Sequence, residues 1–369
     1  MYKALRYLIK GGIFVFVFLL SSCNNKQGCF NGSVNAIHDV DSIISLTSES
    51  IKLDSVNSEY FIVADSLIIF CNQHRNAKCF YDVYNLYSNK NLGGFFSRGR
   101  GHGEYISLPP ITNFIHEDNC LKALVYAPNE SKMLKWNITK SIQSDSLVYD
   151  DMVVCRWYGQ QVVPYSKPVL LDDERFLVFL PGVYIPTKNI ISLPEYQIRT
   201  YSDDKLVKDF RVFNDVKNNR TSKILPESFY LASISYNIEK SLIVEAMNWL
   251  PQINIINFDN NQIKGFLLDE HGNYDIFESD MSDAKYYYHR VVSTNNYIYA
   301  LWCGKTVEET LRGGISFDTI HVFNWNGEFK YKLKLDHLVS SISIDASHKY
   351  LYALNTDSQF IYRYKLNER

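Results

Sequence analysis

Six times along the chain an apolar strand is followed by a loop and then by a second strand that ends in an aromatic residue and a polar turn. No other feature limits the fold as tightly. The aromatic positions are Tyr87, Trp136, Tyr201, Phe258, Trp325 and Tyr364, spaced 39 to 67 residues apart. The clearest copy runs from Ile320 to Trp325 and turns at Asn326-Gly327, a strong hairpin signal. Each copy has its own preceding strand: Ile68 to Phe70, Ala123 to Val125, Phe176 to Phe179, Leu242 to Val244, Ile298 to Leu301 and Leu351 to Leu354. A repeat of this size corresponds to a small sheet with its loops, and repeats of one unit are built by stacking neighbours. Such a sheet has apolar faces and two open edges, so the series is stable only if the units pack face to face and close on themselves. The chain is rich in β-prone residues, with 27 Tyr and 22 Phe. Its most helix-compatible stretch, Glu278 to Val292, still contains three consecutive tyrosines. The expected fold is all-β, a six-bladed β-propeller over residues 36–369.

The last copy ends soon after Tyr364, which leaves no length for a further strand beyond it. The segment Ser42 to Leu53, apolar at Ile43, Ile44, Leu46, Ile51 and Leu53, is expected to supply that strand and join the two termini in one blade.

A second signal follows the first unit: Arg98-Gly99-Arg100-Gly101-His102-Gly103-Glu104-Tyr105. With this loop the chain resembles the TolB-like six-bladed β-propeller lipoproteins over essentially the whole mature length. Members carry a similar Arg- and Gly-rich stretch closing on Gly-Glu and an aromatic, usually with proline where this chain has His102. Alternating glycines allow positive φ and can line up backbone amides to cradle an anion, with Arg98 and Arg100 adding charge. Arg98, Arg100, His102 and Glu104 are therefore candidate binding residues. The same pattern also suits an inter-blade crossing in which these side chains pair with the backbone. The lysine and hydroxyl residue of a phosphate-binding P-loop are absent.

The amino terminus carries Lys3, Arg6 and Lys10, then an apolar run from Gly11 to Leu20 that stops at Ser21-Ser22-Cys23. This run is too short for a membrane span and has the form of a secretory signal. Leu20 to Cys23 resembles the lipobox of bacterial lipoproteins, which implies cleavage after residue 22 and lipidation of Cys23. Several acyl chains on one residue give firm anchoring, since each buried methylene contributes ~0.8 kcal/mol. Residues 23–35 are polar and are expected to form a flexible tether that pulls on the closing seam. Asn24 to Gly28 lacks the acidic run that accompanies surface export in some lipoproteins. The expected location is the envelope of a Gram-negative bacterium, at the outer membrane and facing the periplasm.

The formal net charge is −2, and removal of residues 1–22, which hold three cations and no acid, takes it to −5. That balance excludes a nucleic-acid partner, which needs a basic surface. Six cysteines remain besides Cys23, none in a CxxC pair, so no zinc or redox motif is expected. Cys71 and Cys79 bracket a polar turn and could form a cross-hairpin disulfide, with buried free thiols as the alternative. No HExxH, GxSxG or GxGxxG motif occurs in a suitable context, and no histidines stand at metal-pair spacing. Neither a cofactor nor a metal is expected. Asp172-Asp173-Glu174 falls between two strands and is expected as a solvated turn. Trp157-Tyr158, His271 with Asp269 and Glu270, and Tyr286 to His289 are the remaining aromatic or polar clusters. The reading is a monomeric, membrane-anchored binding or scaffolding propeller for a protein or glycan partner. Its alternative is a glycan hydrolase or lyase working in the central channel.

Overall fold

The computed structural model describes residues 29–53, 58, 60–155, 165–185, 188–217, 229–268, 284–313, 317–355 and 360–366. Blade 1 is Phe61–Ala64, Leu67–Cys71, Cys79–Asn85 and Asn91–Ser97. Blade 2 is Phe114–Glu117, Cys120–Ala127, Lys132–Asn137 and Tyr149–Val154, and blade 3 is Ser166–Leu170, Arg175–Leu180, Glu195–Thr200 and Leu206–Arg211. Blade 4 runs from Ala232–Asn237 through Leu242–Met247 and Gln252–Asn257 to Gln262–Leu267. Blade 5 runs from Lys285–Ser293 through Tyr297–Thr306 and Phe317–Asn324 to Phe329–Val339. Blade 6 has three C-terminal strands, Ser341–Ile344, Tyr350–Asn355 and Phe360–Lys365.

The ring is visible in its core. Six separate clusters of buried apolar side chains lie one between each pair of adjacent blades, including blade 6 against blade 1 through Leu354, Ile361, Phe61 and Phe70. The second strand of each blade is apolar on both faces because neighbours cover both; Cys120–Ala127 is buried at every position. Outer strands face solvent, as in Tyr149–Val154, where only Val153 is buried. Between blades 1 and 2, Trp136 is fully buried, stacks on Tyr81 at 5.4 Å and donates its indole N–H to Ser141 Oγ at 2.9 Å. An aromatic of this size dominates the interface, and its polar edge is satisfied.

The repeat seen in the sequence is real, with its anchor shifted in three blades. Each third strand ends in a residue that turns the chain, followed by a side chain that plugs the blade end. Asn85 Oδ1 accepts from Tyr87 N and Ser88 N, Asn257 Oδ1 from Asp259 N and Asn260 N, and Asn324 Oδ1 from Asn326 N and Glu328 N. Asn137 Oδ1 does the same for Lys140 N, where it caps the short helix Ile138–Ser144. These are Asx turns, in which the side chain replaces a backbone acceptor. The plugs are Leu86, Ile138, Tyr201, Phe258, Trp325 and Leu366, all buried except the half-buried Trp325. Tyr87, assigned to this role from sequence, is 73% exposed. Trp136 and Tyr364 lie two residues earlier, within the strands.

Closure follows the expected principle but uses less chain. Ser48–Lys52 completes blade 6, antiparallel to Phe360–Lys365, with Ile51 opposite Ile361. Ile43–Leu46, assigned to the same strand from sequence, instead runs parallel along the outer strand of blade 5. The polar stretch taken as a tether is also partly built in, since Ser33–Ala36 runs parallel along the outer strand of blade 4. Phe30 is buried beside Phe213 at the junction of blades 3 and 4. The reason is positional: a strand on an outermost edge is half solvated, so its sequence need not be apolar. Residues 29–52 thus form a strap along blades 4, 5 and 6. The helix-compatible stretch is a strand from Lys285 onward, where packing against blade 4 overrides local propensity. Residues 1–28, including the signal and Cys23, lie outside the described residues.

Candidate functional site

Antiparallel strands put alternate connections on opposite faces of the ring. One face carries short turns, apart from the helix Ile138–Ser144. The other carries the longer connections, described at residues 98–113, 181–185, 188–194, 212–217 and 229–231, and the helix Val307–Gly313. A small sheet of Val183–Ile185, Ile190–Ser192 and Val216–Lys217 rises on this face beside blades 3 and 4. Variable connections on a rigid scaffold are where binding is normally built.

The glycine-rich loop is part of this face. Arg98 and Tyr105 bridge, Gly99 N donates to Tyr105 O at 3.0 Å, and Glu104 N donates to Gly101 O at 3.1 Å. The amide cradle expected from the glycines exists, and the chain's own Glu104 occupies it: Gly101 N donates to Glu104 Oε2 at 2.7 Å. A side chain at Gly99 would meet that same oxygen at 1.9 Å, so a larger residue there would displace Glu104 from the cradle. Arg98 turns inward, with its guanidinium 3.8 Å above the Phe80 ring and a hydrogen bond to Asn72 O at 2.9 Å. Arg100 and His102 point out to solvent. Arg98 and His102 therefore do not join the other candidates, while Arg100 and Glu104 border one surface cavity of about 340 Å³ with Tyr105, Ile106 and Glu130, beside a crossing closed on itself.

One contact joins blades that are not neighbours, and others near the innermost strands link blade 3 to blade 4 and blade 4 to blade 5. The Arg290 guanidinium of blade 5 lies 3.9 Å over the ring of Tyr60, which precedes the inner strand of blade 1. Lys167, on the inner strand of blade 3, donates to Ala232 O of blade 4 at 3.1 Å, and Tyr236 of blade 4 donates its hydroxyl to Lys167 O at 3.2 Å. Beside Arg290, His289 Nδ1 meets the Tyr286 hydroxyl at 2.9 Å, and Asn248 donates to that hydroxyl at 2.9 Å. Burial pushes the Tyr60 phenol up to about 12, so it stays a neutral donor. Burial and the nearby Arg290 charge, partly offset by Glu245, bring Lys167 down to about 8. Burial and Arg290 also hold His289 down to about 4, so its imidazole is neutral.

Sequence reasoning singled out neither Lys167 nor Arg290. The available signal was a lone cation inside a short apolar strand, Ser166-Lys167-Pro168-Val169 and Tyr288-His289-Arg290-Val291, and nothing local distinguishes it from a surface residue. Tyr286 to His289, which had been noted, does reach this region, although Tyr288 is fully buried between blades. Asp172 forms the expected turn, accepting from Glu174 N and Arg175 N. Trp157, Tyr158 and Asp269 to His271 lie outside the described residues. Cys71 and Cys79 are separate thiols: strand register sets Cys71 opposite Tyr81, and Cys79 packs against Gly94 instead. Among the described residues no cluster of three His, Cys, Asp or Glu side chains could hold a metal ion.

A family model described as TolB-like 6-blade propeller-like matches residues 40–347. A solved member of the DUF4221 family from Bacteroides vulgatus superposes with a TM-score of 0.54 at 11% identity, covering 87% of this chain and 97% of that one. A Bacteroides fragilis structure titled "Putative exported protein" gives 0.50 at 13% identity, covering 89% and 100%. These likenesses concern the fold. No curated protein matches the sequence.

Proposed function

We propose, from the premise that the chain belongs to the TolB-like 6-blade propeller-like family, that it is an exported, lipid-anchored envelope protein. Its role is that of a non-catalytic binding module that receives a protein or glycan partner on the face bearing the long connections. The observation that carries this reading is the pairing on one molecule of a rigid closed ring and a face that gathers the glycine-rich crossing with its surface cavity and the small sheet beside blades 3 and 4. The Leu20 to Cys23 lipobox supports anchoring, and the exported Bacteroides protein is consistent with an envelope location. Cys23→Ser should move the protein from the membrane to the soluble fraction while leaving its melting temperature unchanged; a variant that still pellets with membranes refutes lipid anchoring. Incubation of the full chain with envelope polysaccharide and peptidoglycan fractions tests the rest. Retention of material whose mass is unchanged supports a binding module, whereas new reducing ends or unsaturated sugars would establish a glycan hydrolase or lyase instead.

A further inference from the structure

Blade 1 departs from its neighbours at one turn position. Where the chain leaves the third strand, the side chain after the buried plug is small or polar in blades 2 to 5: Thr139, Ser202, Asp259 and Asn326. Blade 1 has Tyr87 there, 73% exposed and held on an Asx turn, in which its backbone N–H donates to Asn85 Oδ1 at 3.0 Å. An exposed tyrosine on a fixed backbone offers contact area at little cost in conformational freedom. Tyr87 lines a cavity of about 290 Å³ that lies across the closing seam. Leu86, Tyr87 and Asn89 of blade 1 form one wall, and Glu49 to Lys52 with Arg363 of blade 6 form the other.

The protein itself uses only part of that polar wall. Arg363 directs Nε and Nη2 to the same Glu49 oxygen, Oε2, so Oε1 takes no hydrogen bond among the described residues. Lys52 enters no ion pair among the described residues. Two cations and one carboxylate thus line the cavity, which leaves positive charge in excess.

We propose that this seam cavity binds an acidic saccharide, with the apolar face of a uronate ring against Tyr87, its carboxylate on Lys52 and its hydroxyls on Glu49 Oε1 and the Asn89 amide. Charge-assisted hydrogen bonds favour an acidic sugar over a neutral one, and the aromatic ring selects a ligand ring with an apolar side. Because one wall belongs to blade 1 and the other to blade 6, an occupant holds the seam closed and stabilises the folded molecule by linkage. The inference rests on neither the lipid anchor nor the long-connection face.

The test titrates the full chain in detergent at neutral pH with trimers of galacturonic acid and of mannuronic acid, and with maltotriose as the neutral control. A uronate trimer should bind saturably, raise the melting temperature and slow hydrogen exchange at residues 48–52 and 86–90, and maltotriose should bind about tenfold more weakly. Tyr87→Ala should melt as the unliganded wild type does and lose about tenfold in affinity for the uronate. Lys52→Gln should lose a similar factor and, with it, most of the weakening that added salt causes in the wild type. The proposal is overturned if neither uronate trimer binds, if maltotriose binds as tightly, if Tyr87→Ala or Lys52→Gln binds as well as wild type, or if the slowed exchange falls away from the seam. A glycan retained elsewhere on the ring sinks this inference and leaves the binding module standing.

Discussion

Glu104 shows how a motif can be read correctly in shape and still not predict an external ligand. Alternating glycines did signal exposed amides, but the nearest anion is three residues along the same chain, and Gly101 N already donates to it. Whether a cradle is filled from inside depends on a side-chain torsion that no spacing rule reports. Arg290 was illegible for the opposite reason, since its contact with Tyr60 depends on ring closure between residues 230 positions apart. Buried histidines make a sharper residue-level prediction. His321 is sandwiched by Trp302 at 4.3 Å and Phe329 at 4.7 Å, and burial and Lys332, partly offset by Asp39, bring it down to about 3. His289 is similarly lowered to about 4, with Arg290 and the Ser340 backbone as its neighbours. Both take up protons on unfolding at mildly acidic pH, because their folded values lie below the ordinary value near 6.5. Stability should therefore fall as pH drops from about 6.5 toward 4, by on the order of 1 kcal/mol per pH unit for each histidine. Melting temperatures measured between pH 7.5 and 4.5 would show this, and His321→Phe should flatten the slope by about half. An unchanged slope would mean that other groups set it.

At the scale of elements, the second strand of every blade was legible, because burial on both faces leaves a continuous apolar run such as Ile68-Ile69-Phe70. Outer strands were not, since Ser33–Ala36 and Tyr149–Val154 carry solvated side chains on backbone ladders that any sequence can form. The sequence therefore divides the strap wrongly, with its first seven residues, 29–35, assigned to a tether. Its three pieces do different work. On blades 4 and 5 it adds a fifth strand to sheets that already have four, whereas on blade 6 it supplies the fourth. There Ser48 N donates to Asp336 Oδ2 at 2.9 Å, Glu49 pairs with Arg363, and Leu53 is buried against blades 6 and 1. A chain lacking residues 29–46 should keep a closed ring and melt only slightly lower. Loss of residues 29–52 opens the seam and should lower the melt further by several kcal/mol, on the order of 5–10 °C by circular dichroism. Equal melts for the two chains would contradict the division of labour.

For the whole molecule, the strap relocates the point of attachment. Cys29 O accepts from Asn214 N at 2.7 Å and Asn31 N donates to Val212 O at 2.8 Å, so the chain leaves the ring between blades 3 and 4, on the long-connection face. The expectation that a tether would pull on the seam is thus corrected: blades 4 and 5 hold the strap before the seam is reached. With Cys23 lipidated as proposed, only Asn24 to Gly28 separate the lipid from the ring, a reach of roughly 20 Å at full extension. The long-connection face should then stand close to the bilayer. Hydrogen exchange of the lipoprotein in vesicles, compared with detergent, should show added protection across residues 98–113 and none at the turns 86–90 and 258–261. Equal protection on both faces would refute this orientation. The strap also imposes an order on the molecule's birth. Asn31, Asp39 and Glu49 bond to residues that follow them by 180, 293 and 314 positions, so the first part of the ring to be synthesised waits for the last. Pairings this distant in sequence make for slow folding. With the chain exported as proposed, that delay is a gain, because the ring cannot lock until nearly all of it has been threaded across the membrane.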